Sequence, residues 1–393
     1  MSTADAIEHS PITNNWGSAR TKRIDAEHIV ISRGHEGGAY NHHHQIMAHD
    51  GVLYASWSNG IQNEDDPSQR MVFATSTDFG DTWSAPRAVA GPRPGTYADQ
   101  IISGEGIREH GGSLYAYYAV NEYPPEGLVE GADPPKRASI GKGQWPEDEF
   151  WSFDEHTEIV KSDDGGGTWS EPLSTIDGLY PNLRPEPIAG GRLVFPGNLT
   201  YWYTDDPVGV FGWTRATLPG VSDDYRDAPG RFQKECRRLG LGHLYCEGSF
   251  YQTDDGIIHM MLRTDDDAGL LAVSESADRG VTWSLPKRTS FTDSRCRFHF
   301  GRLRDGRFCA VSCPKPHSRR TPLVFATSGD GVSFDRHYVI GDEPSTGPRM
   351  SGHHKGGRYG YPAYHVAGET VFVIYSIEKE DIAMCRFPLA SLD

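Results

Sequence analysis

Six short hairpin patterns, spread along the whole chain, restrict its fold more than any other feature of the sequence. Each has an apolar stretch, a turn rich in Gly, Asp or His, and a second apolar stretch; the turns centre on Asp50, Gly111, Gly190, Asp255, Asp305 and Gly368. Their Asp-Gly and Gly-Gly pairs supply the positive φ angles that tight hairpins need, and the flanks are rich in β-branched and aromatic residues. Six such units, roughly 64 residues apart on average, would use nearly all of the 393 residues.

A second motif alternates with the hairpins. The pattern S-x-D-x-G-x-T-W occurs three times, and a copy that is one residue shorter occurs once, at Ser76–Trp83, Ser162–Trp169, Ser276–Trp283 and Ser328–Phe334. The Asp carboxylate can accept backbone N–H bonds, and the Gly can adopt a left-handed conformation, so each copy predicts a turn. The copies resemble the Asp box, or BNR repeat, of sialidase-like β-propellers. We therefore expect structural roles for Asp78, Asp164 and Asp278.

Together the two motifs predict an all-β fold built from one β-propeller. Each unit would contribute four strands, with the hairpin supplying the inner two and the Asp box joining the outer two. The last unit offers only three strands, and a strand at His28–Ser32 can supply the fourth and close the ring. Closure removes exposed sheet edges. We predict six blades in one domain over residues 25–393, preceded by an N-terminal arm over residues 1–24.

Composition narrows the possible partners. The chain has 54 acidic and 38 basic residues, a formal net charge of −16, which repels phosphate backbones, so we expect no nucleic-acid partner. It has no run of 18 apolar residues and no apolar leader, so we expect no membrane association. The six scattered cysteines contain no CxxC pair and indicate reduced thiols. These features predict a cytoplasmic protein.

Two long insertions interrupt the repeat, one rich in Pro and acidic residues and one rich in Arg and Asp. They run from Asn121 to Phe150 and from Ser222 to Gly242. Insertions between propeller strands collect on one face and commonly build a binding site, so we expect them to contribute to one here.

Three consecutive histidines, His42, His43 and His44, follow Asn41 at the start of the first inner strand. Inner strands line the central channel of a propeller, and strand alternation would send His42 and His44 to one side and His43 to the other. Imidazoles titrate near neutrality, so the cluster predicts an acid, a base or a metal ligand at one mouth of the channel. A solvated polar strand start is the alternative.

Several scattered motifs resemble a known group of enzymes. They are NHHHQI at 41–46, WSNG at 57–60, the ED, P and QR positions within 64–70, RFHFGRL at 297–303, and the YS…KEDI segment at 375–382. They are similar to propeller-type polysaccharide lyases that act on ulvan and on rhamnose–glucuronate linkages, and to related rhamnosidase-like propeller hydrolases of arabinogalactan breakdown. The resemblance implies that His42 and His43 are catalytic. It also makes seven blades the alternative to six. His44 stands where that family has proline, so the resemblance implies no role for it.

The resemblance implies β-elimination on an anionic oligosaccharide or small molecule. The reaction removes the C5 proton of a uronate and expels the group at C4, so it needs an Arg or a cation on the carboxylate. It also needs a base such as neutral His or Tyr, and an acid for the leaving oxygen. We therefore predict catalytic roles for His42, His43, Arg263 and Tyr361. Residues at comparable inner-strand positions are predicted to bind substrate: Arg184, Glu247, Arg295, His299, Arg358 and Asn121, with Arg297 and Tyr97 as further candidates.

Other interpretations of the same fold stay open. His299 lies between Phe298 and Phe300 and could be a core histidine. A sialidase would begin with an Arg-Ile-Pro strand, whereas the nearest match here is Arg23-Ile24-Asp25, and no motif marks the Tyr–Glu pair or the three arginines of sialidases. A non-catalytic glycan- or protein-binding propeller is a further alternative. No cofactor is required; a divalent cation, calcium or zinc, could bind near His353-His354, but the spacing matches no metal motif.

Overall fold

The computed structural model describes residues 8–95, 99–122, 153–197, 201–218, 245–264 and 267–393. These residues form 27 β-strands and one 3₁₀ turn, Leu389–Ser391, so the predicted all-β class is confirmed. Three strands precede the first blade: β1 (His9–Thr13), β2 (Arg20–Arg23) and β3 (Glu27–Ser32). Among all the residues that the structure describes, no helix is long and apolar enough to cross a membrane.

The first three blades follow one another along the chain. Blade 1 consists of β4 (Tyr40–His49), β5 (Val52–Gly60), β6 (Arg70–Ser76) and β7 (Arg87–Ala90). Blade 2 consists of β9 (Asp99–His110), β10 (Ser113–Glu122), β11 (Phe153–Ser162) and β12 (Ser174–Asp177), with the short β8 (Arg93–Pro94) beside β9. Blade 3 is smaller and consists of β13 (Glu186–Pro187), β14 (Leu193–Phe195), β15 (Trp202–Thr204) and β16 (Thr214–Arg215).

The last three blades incorporate the three strands of the N-terminal segment. Blade 4 consists of β17 (Tyr245–Gln252), β18 (Ile258–Thr264), β19 (Leu270–Ser276) and β20 (Lys287–Thr292), and β1 pairs with β20. Blade 5 consists of β21 (His299–Arg302), β22 (Phe308–Ser312), β23 (Leu323–Ser328) and β24 (Arg336–Gly341), and β2 pairs with β24. Blade 6 consists of β25 (Gly360–Ala367), β26 (Thr370–Ile377) and β27 (Asp381–Pro388), with β3 as its outer strand.

The prediction of six blades closed by an N-terminal strand is confirmed. Strand β3 pairs antiparallel with β27, with His28 opposite Cys385 and Ile29 opposite Met384. The seven-blade alternative, taken from the family resemblance, is wrong because the described strands form six sheets, one per hairpin. The insertions predicted at 121–150 and 222–242 lie almost wholly outside the described residues.

Apolar side chains between neighbouring blades form the core. Where blade 1 meets blade 6, for example, Ile46 and Val72 pack with Ile374 and Met384. The hairpin turns follow the predicted chemistry, because Asp50 and Gly51 have φ angles of 48° and 77°, as a tight two-residue turn requires. Local turn residues thus define the hairpin of each blade, and apolar side chains pack neighbouring blades together.

Each Asp box joins the third and fourth strands of its blade, as predicted. In the first, Asp78 accepts bonds from the Thr82 amide at 2.9 Å and from the Ser76 hydroxyl at 2.7 Å. The boxes at Asp164 and Asp278 repeat these contacts with Thr168 and Thr282 at 2.9 Å. The carboxylates are therefore structural.

Blade 3 carries a related turn that the sequence motif missed. Asp206 accepts bonds from the amides of Val208 at 3.1 Å, Val210 at 2.9 Å and Phe211 at 3.0 Å. Trp213 donates its indole N–H to the Gly209 carbonyl at 3.2 Å. Extra residues between the Asp, the Gly and the Trp hide this turn from a pattern with fixed spacing.

Replacing Asp164 with alanine should lower the Tm by several degrees. The change removes the acceptor for the amide and the hydroxyl of Thr168. Those bonds, led by that of the Thr168 amide, lower the pKa of Asp164 to about 2. Their stabilisation is therefore complete above the unfolded-state pKa of about 3.9 and is lost as the pH falls through the folded value. Thermal melts at pH 7 and pH 3 measure both effects.

Asp163→Ala is the matched control. The Asp163 carboxylate is adjacent in sequence to Asp164, but it makes only an exposed ion pair with Lys161 and a bond with Ser113. Exposed pairs contribute little to stability. Equal falls in Tm for the two variants would show that the turn at Asp164 has no special structural role.

Candidate active site

Four inner strands carry a β-bulge, and three of these lie close to the strand start. In β4, His42 pairs with Ser58 but Gln45 pairs with Ser56, so one extra residue is inserted. The strands β9, β17 and β25 contain the same irregularity. The bulged residues His43, Glu247 and Tyr361 have φ angles of 50°, 51° and 51°. Bulges turn side chains away from regular alternation and are common beside active sites.

The bulge in β4 overturns the prediction that alternation separates His42 from His43. The two imidazoles lie together, with ring centroids 5.0 Å apart. Both contact the ring of Tyr361, at 3.9 Å for His42 and 5.5 Å for His43. A period of two residues holds only in a regular strand, and the extra residue moves His43 onto the side of His42.

Tyr361 and Glu247 form the central contact of this group. The Tyr361 hydroxyl donates a hydrogen bond to one oxygen of Glu247. The Arg263 guanidinium donates to the other oxygen of Glu247 and, at 3.1 Å, to the Tyr361 hydroxyl. Burial, with a further contribution from the Glu247 charge, raises the pKa of Tyr361 well above its usual value. The phenol is therefore protonated at neutral pH and is bonded to a carboxylate.

Two more arginines lie against the Tyr361 ring. The guanidinium carbons of Arg297 and Arg320 are 4.9 Å and 5.0 Å from its centroid. Arg297 is fully buried and donates to the backbone carbonyls of Asn182 and His44. Neither guanidinium forms an ion pair with any carboxylate of the described residues. This leaves positive charge beside Tyr361 that an anionic ligand could neutralise.

A buried ion pair lies on the other side of His43. The Lys379 ammonium is 2.8 Å from one oxygen of Glu64. His43 Nε2 is 3.5 Å from the other oxygen, which also accepts a bond from the Tyr40 hydroxyl at 3.3 Å. Lys379 Nζ is 5.9 Å from the centre of the Tyr361 ring. The pair therefore brings a fixed cation to the same mouth of the channel.

His42 is a neutral imidazole in this setting. Its Nδ1 is 2.8 Å from the Ser376 hydroxyl, and its buried Nε2 has no hydrogen-bond partner within the described ranges. Burial lowers the pKa of His42 well below its usual value, and the nearby Lys379 charge adds to the effect. A neutral imidazole with one vacant nitrogen can accept a proton.

Glu105 is a buried carboxyl group that the sequence analysis did not select. It is the extra residue of the bulge in β9, where Tyr117 pairs with Gly106 and Tyr118 with Gly104. Burial raises its pKa well above the usual value, although the Arg297 charge opposes the shift. This shift favours the protonated form of Glu105, which can act as an acid. The flanking residues Gly104 and Gly106 were the sequence signal that could have indicated a bulge at Glu105.

The structure brings together five of the ten residues predicted for the site: His42, His43, Glu247, Arg263 and Tyr361. Arg295 lies beside this group but pairs with Asp267 at 2.5 Å, and Arg358 lies 3.9 Å from Glu343. Asn121 lies buried on β10, and Arg184 and His299 line a cavity at the opposite end of the channel. Tyr97 lies outside the described residues. Sequence reasoning did not select four further residues as site residues: Glu64, Glu105, Arg320 and Lys379.

One group of side chains could in principle hold a metal ion. Ligand atoms of His42, His43 and Glu64 lie within 4.8 Å of one another. Two imidazoles and one carboxylate form a donor set suited to zinc and not to calcium, which prefers oxygen ligands. However, the Lys379 ammonium already contacts Glu64 and would repel a divalent cation. The exposed pair His353-His354 forms no such group within the described part of the chain.

A comparison with known families identifies the fold independently. The family described as BNR repeat-like domain matches residues 140–374, more than half of the chain. The chain belongs to the BNR repeat-like domain family. No curated protein sequence matches this BNR repeat-like propeller.

Solved structures resemble this BNR repeat-like propeller over nearly its whole length. A Dyadobacter fermentans protein of unknown function is 16% identical, with 93% of this chain and 98% of that chain covered and a TM-score of 0.62. A mutant NanB sialidase from Streptococcus pneumoniae is 14% identical, with 93% and 71% covered and a TM-score of 0.61. An α-L-arabinanase of Penicillium chrysogenum is 13% identical, with 94% and 99% covered and a TM-score of 0.51. At these identities the likeness establishes the fold alone.

Lys379→Met should destabilise the protein by about 3–5 kcal/mol, because it leaves the buried Glu64 carboxylate without its cation. Chemical unfolding of the variant measures the change. The double variant Lys379→Met/Glu64→Gln should recover part of the loss, since it leaves neither charge behind. A double variant less stable than Lys379→Met would contradict the interpretation that the unpaired Glu64 charge causes the loss.

Proposed function

We propose that this propeller is a glycan-cleaving enzyme that hydrolyses a glycosidic bond next to a carboxylate, with Tyr361 as its nucleophile. The contact between Tyr361 and Glu247, with Arg263 bonded to both, carries the proposal. A phenol is a weak nucleophile until an adjacent base accepts its proton. In this geometry Glu247 is that base.

The chemical step follows from this pair. The Tyr361 oxygen bonds to the anomeric carbon, Glu247 takes the phenolic proton, and the bond to the leaving oxygen breaks. Glu105 is close enough to Glu247 and Arg297 to feel their charges, and burial favours its protonated form. We assign this form as the acid for the leaving oxygen. Water then attacks the anomeric carbon and gives one proton to the ionised Glu105, while the bond to the Tyr361 oxygen breaks and Glu247 returns its proton to that oxygen. The sugar keeps the hydroxyl group of the water, as expected for a tyrosine nucleophile of the sialidase kind.

The surrounding charges favour an acidic sugar. Arg297 and Arg320 lie against Tyr361 without a carboxylate partner among the described residues, and Arg263 lies beside them. Guanidinium groups bind carboxylates through strong charge-assisted bonds. A neutral phenol also suits a sugar that carries a carboxylate at its reacting carbon, because the phenol brings no second negative charge towards that carboxylate.

The structural relatives support a glycan as substrate. The NanB protein is a sialidase, a leech intramolecular trans-sialidase was solved with 2,7-anhydro-Neu5Ac, and the Penicillium chrysogenum arabinanase was solved with arabinobiose. Those ligands belong to those proteins. The shared fold and the arrangement around Tyr361 together support a glycan-active enzyme here.

β-Elimination is the second candidate, and it rests on His42. The vacant Nε2 of this imidazole belongs to a ring only 3.9 Å, centroid to centroid, from that of Tyr361. In this reaction His42 takes the C5 proton of a uronate, the arginines neutralise its carboxylate, and Tyr361 protonates the leaving oxygen. This is the reaction that the family resemblance implies.

Product analysis separates the two reactions. The protein is incubated with α-sialosides, rhamnose–glucuronate disaccharides and ulvan oligosaccharides, and the products are analysed by mass spectrometry. Hydrolysis gives fragments whose summed mass exceeds that of the substrate by one water. Elimination gives no gain in mass and an unsaturated sugar that absorbs in the ultraviolet. Failure to cleave any acidic glycan would contradict both reactions and favour a binding propeller.

Tyr361→Phe should abolish cleavage on either route, because it removes only the reacting hydroxyl. We expect a loss at least as large as the ~10²–10⁴-fold typical of a proton-transfer group. His42→Ala should lose a similar factor if elimination operates and much less if hydrolysis does. Rate measurements on whichever substrate is cleaved test both expectations.

Tyr338→Phe is the matched control, since Tyr338 is buried in β24 and bonds to the Asp393 carbonyl. It should keep full activity. Activity retained in folded Tyr361→Phe would place the chemistry elsewhere.

A further inference from the structure

The channel has a second concave site at its other end. A cavity of about 610 Å³ opens beside the hairpin turns that follow the inner strands. We call it the hairpin-side pocket and define it by Arg108, Arg184, Glu186, His299, Arg304 and His365, which are among its lining residues. It contains none of the residues grouped around Tyr361.

Buried side chains separate this pocket from the site at Tyr361. Arg297 spans the channel between the carbonyls of Asn182 and His44. Arg297, His44 and Glu105 are each at most 1% exposed. A ligand in the hairpin-side pocket therefore cannot reach Tyr361 without displacing this layer.

The pocket is basic although the chain is acidic. Three of its arginines, Arg108, Arg184 and Arg304, form no ion pair with a carboxylate of the described residues. Arg184 is directed to the backbone carbonyls of Ile46 at 3.1 Å and Ile107 at 3.4 Å. Arg108 likewise donates to the carbonyls of Pro207 and Val208. Three guanidinium groups without a carboxylate partner among the described residues, on a chain with a net charge of −16, favour an anionic ligand here.

The acidic group of the pocket is already engaged. Glu186 lies 3.0 Å from His299 Nε2, and the Tyr364 amide donates to the other nitrogen of that ring at 3.2 Å. Burial and the Arg184 charge lower the pKa of His365 to about 4, so this imidazole is neutral at pH 7 and can bond to hydroxyl groups. Glu186 also interacts electrostatically with Arg184, but it is the one acidic residue of the lining, so the pocket keeps a net positive charge.

The volume and the lining of the hairpin-side pocket suit a small-molecule ligand. Apolar side chains such as Phe250, Leu303 and Val366 contribute to the lining. Pockets of roughly 300–1,000 Å³ with apolar walls and a few convergent polar groups are typical of small-molecule sites. We propose that the hairpin-side pocket binds a sugar-sized molecule that carries a carboxylate or a phosphate, held by Arg184 and Arg304.

Calorimetric titration of the full chain tests the proposal with four probes: glucose 6-phosphate, glucuronate, inorganic phosphate and glucose. We expect saturable binding of glucose 6-phosphate or glucuronate and none of glucose at the same concentrations. The tighter of the two acidic sugars identifies the preferred anionic group, and inorganic phosphate shows whether the sugar body contributes. Glucose binding as tightly as its 6-phosphate would overturn the proposal, as would the lack of binding by every acidic probe.

Variants locate the binding. Arg304→Gln and Arg184→Gln should each weaken it by about 10- to 100-fold, the usual effect of losing one charge-assisted bond. Arg304 is exposed, so its variant tests the pocket even if Arg184→Gln fails to fold, which thermal melts would reveal. Arg336→Gln, at an exposed position on β24, is the matched control and should bind normally.

Tyr361→Phe and Arg320→Gln distinguish this pocket from the proposed active site. Both should keep the binding, whether or not the protein cleaves glycans, because neither side chain lines the hairpin-side pocket. Loss of binding in Arg320→Gln with full binding in Arg304→Gln would assign the anion to the mouth at Tyr361 and overturn the proposal.

Discussion

The pairing of β3 with β27 is the contact on which the rest of the molecule depends. It joins the two ends of the chain and places blade 1 against blade 6. Across this seam the Asn41 amide donates to the Lys379 carbonyl at 2.9 Å, and His42 bonds to Ser376 at 2.8 Å. Without closure, the histidines of β4 would not meet Tyr361, which lies more than 300 residues later in the chain. Ring closure removes the sheet edges and also assembles the candidate site.

Buried charge around Tyr361 is the second constraint. The carboxylates of Glu64 and Glu247 each contact a cation, Lys379 and Arg263 respectively. Burying such pairs costs desolvation energy, which the mutual contacts only partly offset, so they add little to stability. They do hold charge and hydrogen-bond donors in fixed positions around Tyr361. Fixed dipoles and charges of this kind are what stabilise developing charge during bond cleavage.

Particular residues show where sequence reasoning succeeded and where it stopped. Tyr361, Glu247 and Arg263 were selected because they lie near the ends of channel-lining strands, and the structure brings them into contact. Alternation failed at His43 because a bulge inserts one residue. Arg320 and Lys379 were not selected as site residues because they lie in connecting segments, where no strand pattern indicates direction. Arg184 and His299 lie at the hairpin side of the channel, away from Tyr361, since strand membership alone does not give depth along the axis.

By itself the sequence determined the number of blades, the position of the Asp boxes and the strand that closes the ring. These features depend on local turn chemistry and on the count of a repeated unit, which adjacent residues encode. Only the tertiary structure decided which residues meet. Inner strands from six blades converge on one axis, so contacts there join residues that are far apart in the chain. The bulges set side-chain direction, and the buried layer of Arg297, His44 and Glu105 separates the group around Tyr361 from the hairpin-side pocket. That separation follows from packing at the centre of the ring, which no local sequence pattern predicts.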